Sequence, residues 1–85
     1  GKSLLNLGLD TLKAREERRN AFSRAAQSYG LEAKLYEEKY VYFLAGHVRA
    51  DELWCWREAG NKEMVEKTLK HVERIRRILG FAAAY

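Results

Sequence analysis

The sequence predicts an all-α protein folded as an antiparallel three-helix bundle. Two observations support this fold class: the 85 residues include no proline and six glycines, and three of those glycines stand where apolar helical periodicities end. Glycine often follows the last turn of a helix, because it adopts the left-handed backbone conformation at little cost. Gly30, Gly60 and Gly80 are therefore expected to close three helices, at about 3–29, 31–59 and 61–79, within a single domain of residues 1–85.

Helix 1 is rich in leucine near its start and contains a strongly charged stretch before its end. The leucines are Leu4, Leu5, Leu7, Leu9 and Leu12. If the chain turns at Gly30, residues that face each other across helices 1 and 2 have numbers that sum to about 60, because antiparallel helices advance equally. Arg18 and Arg19 are then expected beside the rings of Tyr42 and Phe43, where a cation–π contact would form.

Helix 2 holds most of the aromatic residues, arranged in two stripes about 110° apart. The first stripe contains Tyr36, Tyr40, Phe43, His47, Ala50 and Trp54, and the second contains Leu35, Tyr42, Gly46, Leu53 and Trp56. We expect the first stripe to form the core. Helix 3, at about 28 Å, would be too short to cover a helix 2 of about 43 Å, so part of the second stripe should stay exposed. A break between Gly46 and Asp51 would instead give four helices.

Helix 3 has the clearest amphipathic pattern. Its apolar face contains Val65, Leu69, Val72, Ile75 and Leu79, and glutamates stand four residues before Lys67, Lys70 and Arg77 on the opposite side. Such pairs stabilise an exposed helix face by a few tenths of a kcal/mol each, about 0.2–0.5. Asn61 is a suitable N-cap. Arg76 lies within the apolar face, so its charged end is expected to seek a carboxylate or a partner.

Composition excludes several functional classes. A hydrophobic share of 47% is too high for a disordered chain, and no apolar run approaches the roughly 20 residues that span a bilayer. The lone Cys55, between two tryptophans, is interpreted as an inert apolar filler and favours an intracellular, cytoplasmic setting. Since no catalytic motif is present, we expect a protein that is not an enzyme, has no cofactor and does not bind membranes.

The first functional hypothesis is therefore a helical protein-binding module: an adaptor, an inhibitor or an assembly subunit. Its partner would be another protein or a second copy of the chain. Exposed aromatic residues flanked by arginine are typical of protein-binding hot spots, and the second stripe of helix 2 has this composition. The anchors would be Tyr42, Leu53 and Trp56, with Arg18, Arg19 and Arg76 at the rim.

Two alternatives follow from other residues. A net charge of +4 with both outer helices basic suits binding to DNA or RNA. The residues concerned are Lys13, Arg15, Arg18, Arg19, Lys70, Arg74, Arg76 and Arg77. The weaker alternative is a metal site, because His47 and Asp51 are four residues apart on helix 2 and a turn at Gly60 would bring His71 near position 50.

Overall fold

The computed structural model describes the backbone of residues 2–83 and the side chains of residues 11–80. Three helices account for nearly all of it: α1 (Lys2–Glu38), α2 (Tyr42–Ala59) and α3 (Lys62–Ala83). α2 packs against both α1 and α3. The predicted all-α, three-helix fold is confirmed for the described residues.

The first turn lies at residues 39–41, so the predicted end of helix 1 at Gly30 is wrong. α1 continues for eight residues beyond that glycine and ends where Tyr40 takes a left-handed backbone with φ 61°. Two hydrogen bonds close the helix, from the Tyr40 amide to the Glu37 carbonyl (3.1 Å) and from the Val41 amide to the Tyr36 carbonyl (2.8 Å). This is the glycine-type helix ending with a tyrosine in the glycine position, which is uncommon.

The second turn matches the prediction. Gly60 has φ 73°, and its amide donates to the Arg57 carbonyl at 3.0 Å while the Asn61 amide donates to the Trp56 carbonyl at 3.1 Å. Asn61 caps α3, because its Oδ1 accepts a hydrogen bond from the Met64 amide at 3.1 Å. Both the glycine ending and the asparagine cap are therefore confirmed at this turn. The predicted end of helix 3 at Gly80 is wrong, because α3 continues through that glycine to Ala83.

α2 is continuous through Gly46 and Asp51, so the four-helix alternative is wrong. Gly46 lies where α2 and α3 approach closely: a β-carbon placed on it would be 3.3 Å from Cγ2 of Ile75. The absence of a side chain lets the two helices come together here, which is a packing role and not a helix break.

The shifted first turn gives the molecule an elongated shape. α1 has 37 residues and α2 only 18, or about 55 Å against 27 Å. Residues that meet across them include Phe22 with Trp54 and Glu37 with Arg49, so facing numbers sum to roughly 80, not 60. α2 thus covers the second half of α1, and the first half extends beyond the bundle. The Cα extents are 63 × 23 × 19 Å.

The core between the helices is small and rich in alanine. Ala26, Cys55 and Trp56 form its centre, and the half-buried residues around them are Phe22, Ala25, Tyr29, Ala59, Met64 and Val65. Farther along, Ala33, Ala45, Thr68 and Ile75 are also buried. Small side chains at these positions allow close helix contacts but remove little apolar surface from water. Polar residues therefore take a large part in fixing how the helices meet.

Candidate interaction surface

A network of charged side chains is buried where the three helices meet. Arg49 of α2 donates from Nη2 to Oε2 of Glu37 on α1 at 2.7 Å, and from Nη1 to Oε1 of Glu52 at 2.8 Å. Trp56 donates from Nε1 to the other oxygen of Glu52 at 3.1 Å. On the outer side Arg74 of α3 pairs with Glu37. Two positive and two negative groups thus balance, and among the described residues no buried side-chain nitrogen or oxygen lacks a hydrogen-bond partner.

The pKa shifts agree with this pairing. Burial alone would raise the pKa of Glu37, but hydrogen bonds and positive charge from Arg49 and Arg74 outweigh it and hold the pKa below its usual value. Burial would lower the pKa of Arg49, yet its bonds to both carboxylates raise it overall. The pKa of His71 is lowered by burial and then by the positive charges of Arg49 and Arg74. The charged forms of Glu37 and Arg49 are thus favoured by their mutual pairing, as suits a structural network.

Gly30 makes room for this network. A β-carbon on it would lie 2.9 Å from Oε2 of Glu52, the oxygen that accepts the bond from Trp56. A side chain at position 30 would therefore push the carboxylate away from its donors. The glycine that the sequence indicates as a helix ending instead lies inside α1, where its missing side chain leaves room for the carboxylate of Glu52 on α2.

Replacing Gly30 by alanine should change the stability in the opposite direction to the same replacement at Gly80. We expect Gly30→Ala to lower the free energy of unfolding by about 1–3 kcal/mol, because the buried carboxylate would lose a hydrogen bond. Gly80→Ala should raise it by up to about 1 kcal/mol, because that position is also helical, no described residue lies within 4 Å of its added methyl group, and alanine favours helix. Urea unfolding measures both. Equal effects of the two changes would contradict the proposed role of Gly30.

The predicted anchor Trp56 is in the core and not on the surface. Only 5% of it is exposed, and its indole N–H is used within the chain. Tyr42 and Leu53 are half-buried. The three predicted anchors are therefore partly or fully covered, although Leu35 of the same stripe is 57% exposed. The cause is the residue pattern of α2: positions 45, 49, 52 and 56 share one face, and that face packs inward although two of its members are charged.

The aromatic residues that do face outward are those predicted to be core. Phe43 is 66% exposed and Trp54 55% exposed. The Phe43 ring meets the His47 ring edge-on at a centroid distance of 4.8 Å, and Trp54 meets Phe22 of α1 in the same manner at 5.2 Å. We call Phe43, His47 and Trp54 the outer face of α2. Rings exposed to this extent leave apolar area that a partner could cover.

Two separate hollows lie between α2 and α3, the first of them beside the outer face. One hollow of about 280 Å³ is lined by Phe43, Gly46, His47, Ala50, Val72, Ile75, Arg76 and Leu79. A second, of about 370 Å³ near the Gly60 turn, is lined by Trp56, Arg57, Gly60, Asn61, Lys62, Val65 and Glu66. We call both hollows together the α2–α3 groove. Its lining residues include Gly46 and Ala50, and Arg57, Lys62 and Arg76 are exposed at its edges.

The predicted basic residues do not form one surface. Arg74 of α3 lies beside Glu37 of α1, whereas Arg19 is 18 residues earlier on α1, about 27 Å away along the helix. Lys13, Arg15 and Arg18 are farther still. The basic groups of α1 and α3 are therefore separated along the molecule. Because α2 is displaced along α1, the expected contact of Arg18 and Arg19 with Tyr42 and Phe43 is also wrong.

Two of the three candidate metal ligands, His47 and His71, have other contacts. His47 packs on Phe43, and Nδ1 of His71 accepts a hydrogen bond from Nη2 of Arg74 at 3.1 Å. The turn at Gly60 does bring His71 level with Arg49, as predicted. Among the residues with described side chains, however, no three of the metal-binding types lie together, and Asp51 points away as an exposed residue.

The structure also bears on the predictions made for Cys55 and for membrane-spanning helices. Cys55 is buried, and burial followed by the negative charges of Asp51 and Glu52 raises the pKa of its thiol, so the residue is poorly nucleophilic, as predicted. No helix in the described part of the chain has both the length and the apolar character needed to cross a bilayer.

Sequence reasoning missed the buried network and the outer face together. Both depend on which side of α2 packs inward. A signal was present in the spacing of Ala45, Arg49, Glu52 and Trp56, which repeats every three or four residues like a core stripe. It was overlooked because Arg and Glu are rarely buried unless paired, and their partner Glu37 was expected to lie in the same helix.

Comparison with protein families, curated proteins and solved structures finds no match to this chain. The function must therefore be inferred from the residues themselves.

Proposed function

We propose that this protein is a non-enzymatic binding module that receives an amphipathic helix of another protein in the α2–α3 groove. The observation that carries the proposal is the groove itself. Ala50 is exposed in its lining and has a small side chain, so a partner helix could approach the backbone of α2 closely at that point. Phe43 stands exposed in the same hollow. An apolar helix stripe laid into such a groove is a recurring mode of recognition.

Charge at the rim defines the complementary partner. Arg57, Lys62 and Arg76 line the groove, with Glu66 as the acidic residue among them. The excess is positive, so a helix with acidic residues beside its apolar stripe fits better than a basic one. Arg76 keeps the rim role expected from the sequence, while Phe43 replaces Trp56 as the aromatic anchor.

The proposal can be tested with a designed acidic peptide helix that has leucines at positions i, i+4 and i+7. In an NMR titration we expect amide shifts to centre on Phe43, Ala50 and Leu79. Arg76→Glu should weaken binding at least tenfold, because a rim attraction becomes a repulsion, and Phe43→Ala should do the same by removing the anchor, about 1.4 kcal/mol or more in each case.

Leu35→Ala and Arg24→Glu are matched controls. Both positions are exposed on α1, away from the groove, so neither change should alter the affinity. The proposal fails if a peptide of inverted charge binds equally well, if the shifted amides lie outside the groove, or if millimolar acidic peptide produces no shifts.

A further inference from the structure

The first half of α1 projects from the bundle without a neighbouring helix in the described structure. We call residues 2–20 the arm. From residue 11 to residue 21 every side chain is exposed, and Phe22 is the first that is partly buried. α3 does not reach the arm either: Lys62, its first residue, precedes Arg74 by 12 positions, which places it about level with residue 25 of α1.

The face of α1 that packs on α2 continues into this arm. Within the bundle it contains Phe22, Ala26, Tyr29, Ala33 and Tyr36, spaced alternately by four and three residues. We call this face the seam. Continued towards the start of α1 at the same spacing, the seam includes Arg19, Arg15 and Leu12, and by sequence spacing alone Gly8 and Leu5. Leu12 is 56% exposed. A seven-residue repeat of this kind is typical of a helix that packs lengthwise on another helix.

The exposed area is larger than a compact monomer would have. The chain exposes 6882 Å², whereas a compact protein of 9.9 kDa exposes about 5,200 Å². Its radius of gyration, 17.3 Å, compares with about 12 Å for a compact chain of this length. The excess of about 1,700 Å² per chain is more than the roughly 800 Å² that each partner contributes to a stable interface. A second copy brings the same excess, so two chains could cover each other.

We propose that two copies of this chain associate through their arms, packed antiparallel about a two-fold axis near residues 10–12. The direction follows from the position of α2. In a parallel pair, the partner's α1 would continue along the seam past Phe22 and would overlap the position of α2. In an antiparallel pair, each arm lies on the free part of the other's seam. The interface is then self-complementary, as two-fold symmetry requires.

Because the arm is positively charged, the salt dependence of association distinguishes this dimer from other partners of the arm. Residues 11–20 carry four basic and two acidic groups, so two arms repel each other weakly and salt should strengthen their association. An acidic protein or a nucleic acid on the same arm would bind more weakly as salt is added. The stems of Arg15 and Arg19 cover apolar surface while their charged ends remain in water.

Sedimentation equilibrium of the full chain tests the dimer. We expect a mass near twice 9.9 kDa that falls towards the monomer value in the Leu12→Glu variant, with at least a tenfold rise in the dissociation constant. Leu35→Glu is the matched control, since Leu35 lies on the same helix, is 57% exposed and stands about 180° round the helix from Ala26 of the seam. Circular dichroism confirms that each variant remains helical.

Several outcomes would overturn the proposal. A monomeric mass at millimolar concentration would show that the arms of two copies do not pair. Equal dissociation by Leu12→Glu and Leu35→Glu would place the interface elsewhere. For orientation, Arg19→Cys in a Cys55→Ser background should form no intermolecular disulfide, because antiparallel arms hold the two thiols far apart; rapid disulfide formation would show a parallel pair.

Discussion

Arg49→Met is expected to lower the free energy of unfolding by about 3–5 kcal/mol, the usual cost of removing one partner from a buried ion pair. Arg49 is the centre of the charged network: it bonds Glu37 at 2.7 Å and Glu52 at 2.8 Å. Methionine preserves much of the apolar stem but leaves Glu52 buried without its cation. For a domain of this size the melting temperature should fall by about 12 °C or more.

Two further variants distinguish loss of the charge from loss of packing. Arg57→Met, at an exposed position on the same helix, should change stability by less than about 0.5 kcal/mol. Combining Arg49→Met with Glu37→Leu and Glu52→Gln should restore much of the loss, because the unpaired carboxylates are then gone. If the single and triple variants were equally unstable, packing of the arginine stem and not its charge would explain the effect.

The same pairing predicts a dependence on pH. The folded pKa of Glu37 is held below its unfolded value by Arg49 and Arg74 against the opposing effect of burial. This contribution to stability is present above the unfolded pKa, about 4.3, and is lost as pH falls through the lower, folded pKa. Arg49→Met removes part of it, so the variant should lose less stability than the parent when urea unfolding is repeated below about pH 4.

The second large effect concerns the two tryptophans, which differ by two positions and face opposite ways. Trp56→Ala should cost about 3–5 kcal/mol, because it opens a cavity beside Ala26 and Cys55 and leaves Glu52 without the indole donor. Trp54→Ala should cost about 1.5 kcal/mol or less, chiefly its edge-on contact with Phe22. Each variant is the control for the other, since both replace a tryptophan of the same helix by alanine.

Thermal and urea unfolding give both values. A loss after Trp54→Ala as large as that after Trp56→Ala would mean that both indoles are core and that the outer face of α2 does not exist as described. Little effect of Trp56→Ala would return that residue to the surface, where the sequence interpretation had placed it.

The sequence was sufficient for the number and type of helices but not for their register. The turn at Gly60 could be predicted because glycine and Asn61 give an ending and a cap that depend only on neighbouring residues. Gly30 has the same local appearance, yet its role depends on Glu52, a residue 22 positions later that requires space beside the backbone. Local patterns contain no information about such a contact.

The actual end of α1 could not be predicted from local sequence rules for a related reason. Tyr40 adopts a left-handed backbone, which sequence rules assign to glycine or asparagine. Displacing the turn from residue 30 to residue 40 changed every pairing between α1 and α2. It turned the face of Ala45, Arg49, Glu52 and Trp56 inward, left Phe43 and Trp54 exposed, and uncovered the arm. One misplaced turn therefore accounts for most of the difference between the predicted and the observed binding surface.

The inward position of Trp56 and the outward position of Trp54 are the central claim, because the network, the groove and the arm all depend on that register. Acrylamide quenching of fluorescence tests it directly in two single-tryptophan chains. The Trp56→Phe chain, which retains Trp54, should be quenched strongly, and the Trp54→Phe chain, which retains Trp56, should be quenched several-fold less. Equal quenching in both chains, or stronger quenching of Trp56, would contradict the account.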